Sequence, residues 1–140
     1  MILPIFILFL LGIAEFGAAF ADHLALGQAT REAVRSASLG SDMNTVLTRA
    51  RNSSLGLSDR GTPFNVFISY SINNGSTYTA PTLLTITSPT VPNTFPSGAL
   101  VRVKIIFNHA FVTGSFFSFL PGVVGGNQLP IGQALVMRKE

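Results

Sequence analysis

The sequence predicts an α+β fold: a long N-terminal hydrophobic helix, then a short amphipathic helix packed on a small, mainly antiparallel β-sheet head. Three observations predict it. Met1–Ala21 is apolar except for Glu15, and helical character continues without a break through Asp22–Leu39. Met43, Val46, Leu47 and Ala50 then recur at helical spacing, and from Phe64 onward the period falls to two. The boundary falls after Leu39, giving a membrane-spanning helix and stalk over 1–39 and an αβ head over 40–140.

About 20 apolar residues span the roughly 30 Å hydrocarbon core of a bilayer. A helix continuing to Leu39 is about 60 Å long, twice what a membrane requires. A secretory signal peptide is the rival reading, since Ala19-Phe20-Ala21 before Asp22 has a small-x-small form. Against it, no Lys or Arg precedes the apolar run and the helical period does not stop at the supposed cut. Within the helix, Gly17, Ala21, Ala25, Ala29, Ala33 and Ala37 form one i±4n ridge of small side chains. Such a ridge admits a second helix at close range, as small-xxx-small patterns do in membranes, although alanine is also the best helix former. Glu15 needs an explanation, because a charge at membrane depth costs a few kcal/mol. Either it reaches water near the outer headgroups, or it pairs with a neighbouring subunit through the Met1 amine, Arg31 or Arg35.

Leu39-Gly40 reads as a helix C-terminus, and Ser41 or Asp42 as the N-cap of a helix running to Asn52. Strands are expected at Phe64–Ile72, closed by the turn Asn73-Asn74-Gly75, at Thr82–Thr87, at Ala99–Asn108 and at Leu129–Met137, with a Pro-rich and Thr-rich loop over Ser88–Gly98. Phe111–Gly126 is too apolar for a free loop and too glycine-rich for a clear strand. Its Phe116, Phe117, Phe119 and Leu120 are candidates for head–head contact.

Composition points the same way. The chain is 47% hydrophobic and 11% charged, about half the charged fraction of a soluble monomer, so it is expected to hide surface against copies of itself. With no Cys there is no disulfide, thiolate metal site or cysteine nucleophile. A net charge of +3 is too small and scattered for specific nucleic-acid binding. No catalytic constellation is legible, since His23 and His109 are far apart and neither has a carboxylate or nucleophile at a recognised spacing. No enzyme activity, metal or cofactor is expected. Asn52-Ser53-Ser54 and Asn74-Gly75-Ser76 match the N-glycosylation pattern, a tripeptide common by chance.

The run Leu3-Pro4 … Leu10-Leu11-Gly12-Ile13-Ala14-Glu15-Phe16-Gly17, followed by Ala29 … Arg31-Glu32-Ala33-Val34-Arg35, resembles the TadE-like family of pilin-related membrane proteins. Val101-Arg102-Val103 and the closing Ala134–Glu140 are similar to that family's last two strands. The resemblance implies a small αβ head on a pilin-like helical stalk, in the tight-adherence branch of type IV pilus systems. It implies a structural subunit that sits in the membrane, meets the pilus assembly machinery and then joins a helical homo-oligomeric filament on the cell surface. Glu15 matches the Glu-Phe-Gly glutamate and not the one near the family's mature N-terminus. The alternatives are a minor pseudopilin retained in the membrane and, from another class, a secreted β-domain that binds a surface ligand.

Overall fold

The computed structural model describes residues 3–114 and 121–140. Helix α1 (Leu3–Ser38) runs unbroken for 36 residues, about 54 Å. It stops where the sequence signals: Gly40 adopts φ +83°, which an L side chain resists. The Gly40 and Ser41 amides donate to the carbonyls of Ala37 and Ser36, the two bonds of a Schellman turn.

Helix α2 (Met43–Asn52) starts at Asp42, whose Oδ1 accepts the Thr45 amide at 3.0 Å and whose Oδ2 accepts the Thr45 hydroxyl at 2.6 Å. These bonds to Thr45 hold the Asp42 carboxyl below the usual aspartate value. Met43, Val46, Leu47 and Ala50 are its buried residues, the face that the spacing predicts. A single 3-10 turn at Leu57–Asp59 follows.

Four strands, β1 (Phe64–Ser71), β2 (Thr82–Leu83), β3 (Leu100–Ala110) and β4 (Gln128–Arg138), form one antiparallel sheet in the order β2-β1-β3-β4. The expected strand over Thr82–Thr87 is only two residues long. After Leu84, whose side chain enters the core, the chain leaves the sheet to follow α2. There Asn44 Nδ2 donates to the Thr87 carbonyl at 2.7 Å and Asn44 Oδ1 accepts the Thr87 amide at 3.1 Å, replacing a strand's ladder with one side-chain amide. The loop beyond is tied back by Asn93, which donates to the Ala37 carbonyl, and by Lys139, which donates to the Phe95 carbonyl.

Register places Val101, Val103, Ile105, Phe107 and His109 of β3 on one face, opposite Met137, Leu135, Gln133, Ile131 and Leu129 of β4. This face packs on α1 and α2. The core joins it to Ala25, Leu26, Ala29, Ala33, Val34 and Ala37 of α1, so the second half of the long helix is a wall of the head.

Candidate functional site

Two features of α1 stand out: a polar clasp to the head, and the apolar surface beyond it. Glu15 and Asp22 are seven residues apart, two helical turns, and therefore share the face turned to the head. Both are buried, 4% and 3% exposed, on a helix whose neighbouring apolar side chains are open. Val112, just past the end of β3, donates its amide to Glu15 Oε1 at 2.6 Å. His109, on the core face of β3, lies between the two carboxyl groups. Its Nδ1 is 2.7 Å from Asp22 Oδ2, and its Nε2 is 4.0 Å from Glu15 Oε1. An ionised carboxylate only accepts, so Nδ1 carries the proton of the His109–Asp22 bond. The Nε2 atom has no hydrogen-bond partner among the described residues. Arg60, following the 3-10 turn, completes the set, with Nη1 at 2.7 Å from Asp22 Oδ1. Phe111 closes edge-on against the His109 ring.

The arrangement is a structural lock. One acidic residue takes an imidazole and a guanidinium from two different segments, while the other takes a backbone amide from a third. His109 stands between carboxyl groups, and among the described residues no group of three metal-ligating side chains converges on one point. Next to it, Gln133 Nε2 lies 2.7 Å from His23 Nε2, tying α1 to β4. Farther along, Glu32 pairs with Arg49 at 3.1 Å, joining α1 to α2.

These positions differ in part from the sequence expectations. Glu15 is buried, and its Oε1 accepts the Val112 amide of its own chain. Arg31 donates Nε to the Gly27 carbonyl of its own helix, and both Arg31 and Arg35 are exposed. Of the small-residue ridge, Ala25, Ala29, Ala33 and Ala37 are buried in the chain's own core, and only Gly17 and Ala21 are exposed. The small side chains at those four positions face the core that α1 shares with the sheet and α2 of its own chain. Phe116, Phe117, Phe119 and Leu120 lie outside the described residues.

Asp22, His109 and Arg60 were not expected as a cluster. The one local signal was the seven-residue spacing of Glu15 and Asp22; the partners come from residues far away in sequence.

The surface of α1 away from the clasp is apolar. Among its exposed large side chains are Leu3, Phe6, Phe9, Ile13, Phe16, Phe20 and Leu24. The next exposed positions on that side are Gln28, Arg31 and Arg35, which are polar or charged. By length and composition this helix can cross a membrane. Burying one such side chain fully is worth about 1.5–3 kcal/mol relative to leaving it in water, so the stripe is a surface suited to an apolar environment.

The whole chain matches no curated protein and no solved structure. One family model does match, over residues 1–35, which is the apolar run and the start of the stalk; the C-terminal strands lie outside it. Residues 1–35 are thus similar to the TadE-like protein family, and Glu15-Phe16-Gly17 and Arg31-Glu32-Ala33 stand within that stretch.

Proposed function

We propose that this chain is a structural, pilin-like subunit that polymerises through its N-terminal helix into an extracellular Tad-like pilus filament. The observation that carries the reading is the continuous apolar surface of α1 from Leu3 to Leu24, combined with the TadE-like match over the same residues. Before assembly the helix is held in the membrane. During assembly its surroundings change from lipid to the helices of other copies, under the action of a pilus assembly machinery. Gly17 and Ala21 are the small positions available for close helix approach, and Arg31 and Arg35 are free to meet charges on a neighbouring copy. The work of the subunit is assembly, with no catalytic step and no cofactor.

One observation favours a second reading, a minor pseudopilin that stays in the membrane and assists assembly. Four of the six ridge residues are used up inside the subunit, which leaves less small-residue surface for a filament core than the sequence alone implies.

Electron microscopy of material sheared from producing cells, with intact-mass analysis of the subunit, separates these readings. Filaments built of a subunit that retains the apolar segment are the expected outcome. Recovery from membrane fractions alone supports the pseudopilin, and a soluble chain beginning at Asp22 supports the secreted β-domain.

A further inference from the structure

We infer that the junction of α1 and α2 is a binding site for a singly charged oxyanion of the phosphodiester class. The inference stands apart from the filament reading, because it uses only groups at the end of the stalk and the start of α2.

The site is a cavity of about 290 Å³ lined by Glu32, Arg35, Ser36, Leu39, Ser41 and Arg49. Ser36 is the residue that points to a ligand. It is 3% exposed, and its hydroxyl has no hydrogen-bond partner among the described residues. A helical hydroxyl commonly donates to a carbonyl of the preceding turn. In this same helix Thr30 does so to Leu26 at 2.8 Å and Ser38 to Arg35 at 2.8 Å. Ser36 does not. A buried hydroxyl left unpaired is costly, and an acceptor held in the cavity removes that cost.

Positive charge lines the same cavity. Arg49 is anchored by its Nη1 bond to Glu32 at 3.1 Å, which leaves most of its guanidinium donors unused. Arg35 is exposed, and its guanidinium has no partner among the described residues. It stands in the last turn of α1, where a cation ordinarily serves the unpaired carbonyls. Here those carbonyls are already taken. The amides of Leu39, Gly40 and Ser41 donate to Arg35, Ala37 and Ser36, and the Glu140 amide donates to Ser38. The Arg35 guanidinium is therefore available to a ligand, and no bare carbonyl of that turn is left to repel an anion.

Charge and donor set give the class of ligand. The two guanidinium groups exceed the Glu32 carboxylate by one charge, which a monoanion neutralises. Asp42, next to Ser41, has both carboxylate oxygens bonded to Thr45. The donors are a planar fork on each of two helices and a hydroxyl on one of them. A tetrahedral oxyanion offers oxygens to all three, whereas a carboxylate presents two oxygens in one plane, the match for a single fork. A phosphodiester meets both conditions, whether it belongs to a phospholipid headgroup or to a soluble molecule.

The test uses the full chain in maltoside micelles and phosphate-free buffer, titrated with dimethyl phosphate as the soluble probe and with dihexanoyl phosphatidylglycerol as the headgroup probe. Saturable binding of dimethyl phosphate is expected, weakened about tenfold or more by Arg35→Gln and by Ser36→Ala. Lys104→Gln, on the exposed face of the sheet, should leave it unchanged. Ser36→Ala should also leave the melting temperature of the ligand-free chain unchanged or raised, since it removes an unpaired hydroxyl. Competition by phosphatidylglycerol with at least tenfold tighter binding supports the site with a headgroup as its source, and absence of competition supports it with a soluble source. Equal weakening by Lys104→Gln would overturn the site in favour of diffuse charge attraction, as would the lack of any saturable binding. Acetate binding as tightly as dimethyl phosphate would overturn the phosphodiester class, and a lowered melting temperature for ligand-free Ser36→Ala would mean that the hydroxyl is bonded inside the protein.

Discussion

At the scale of single residues, Asp22 holds the junction together, because it alone is bonded to both His109 and Arg60. Asp22→Ala leaves a buried imidazole without its acceptor. Breaking a buried pair costs about 3–5 kcal/mol, but Arg60 is half exposed and water compensates its share. A loss of about 3 kcal/mol is expected, measured by denaturant unfolding in detergent micelles. Glu15→Gln keeps an acceptor for the Val112 amide, so the loss should be about 1 kcal/mol or less. Equal losses from the two would mean that the clasp is not organised around Asp22. Asp42 gives a pH prediction. Its carboxyl is depressed in the folded chain by its bonds to Thr45, so it contributes stability above its unfolded value. That contribution disappears as pH falls through the lower folded value. Asp42→Asn should flatten the acid limb of a thermal-unfolding series below about pH 4 while remaining a competent N-cap. The N-cap was legible from its place between Gly40 and the apolar period. The clasp was not, because it joins residues 87 and 97 positions apart.

At the scale of elements, the long helix has two different halves. From Leu3 to Ile13 its large apolar side chains are exposed. From Glu15 on, one side is occupied by the sheet and by α2, and only the opposite side remains available to lipid or to another copy. The alanine ridge shows how far periodicity alone reaches: it identified a face suited to close packing, and four of its residues lie in the core shared with the sheet and α2. Ala29→Leu therefore inserts bulk into a filled core, which costs about 1–3 kcal/mol. It should lower the melting temperature of the isolated subunit. Ala21→Leu, on the exposed side, should leave that melting temperature unchanged and disturb fibre formation, as seen by electron microscopy. Normal fibres from Ala21→Leu would remove the exposed small residues from the packing surface. The shortened β2 has a similar lesson. The run Thr82–Thr87 has strand composition, but Asn44 captures the Thr87 backbone and carries the chain over α2.

At the scale of the whole molecule, the head does not close without the stalk. Ala25, Leu26, Ala29, Ala33, Val34 and Ala37 belong to the same core cluster as Val103, Ile105 and Phe107. A chain of residues 40–140 should therefore be unfolded or aggregated by circular dichroism and size exclusion, whereas one beginning at Asp22 should fold; a cooperative melt from residues 40–140 would contradict this. Head and helix are joined by buried contacts and by four side-chain pairs, Asp22 with His109, Asp22 with Arg60, His23 with Gln133, and Glu32 with Arg49. The sequence by itself determined the α+β class, the single long apolar helix, its stop at Gly40, the buried face of α2 and the strands from Phe64, Ala99 and Leu129. Each of these is written in spacing between near neighbours, where the helical and strand periods directly select which side chains share a face. Only the tertiary structure decided that the alanine ridge faces the head, that Glu15 is satisfied within its own chain and that His109 meets Asp22. Those pairings depend on where β3 ends relative to α1, a consequence of sheet register and packing that no local pattern encodes.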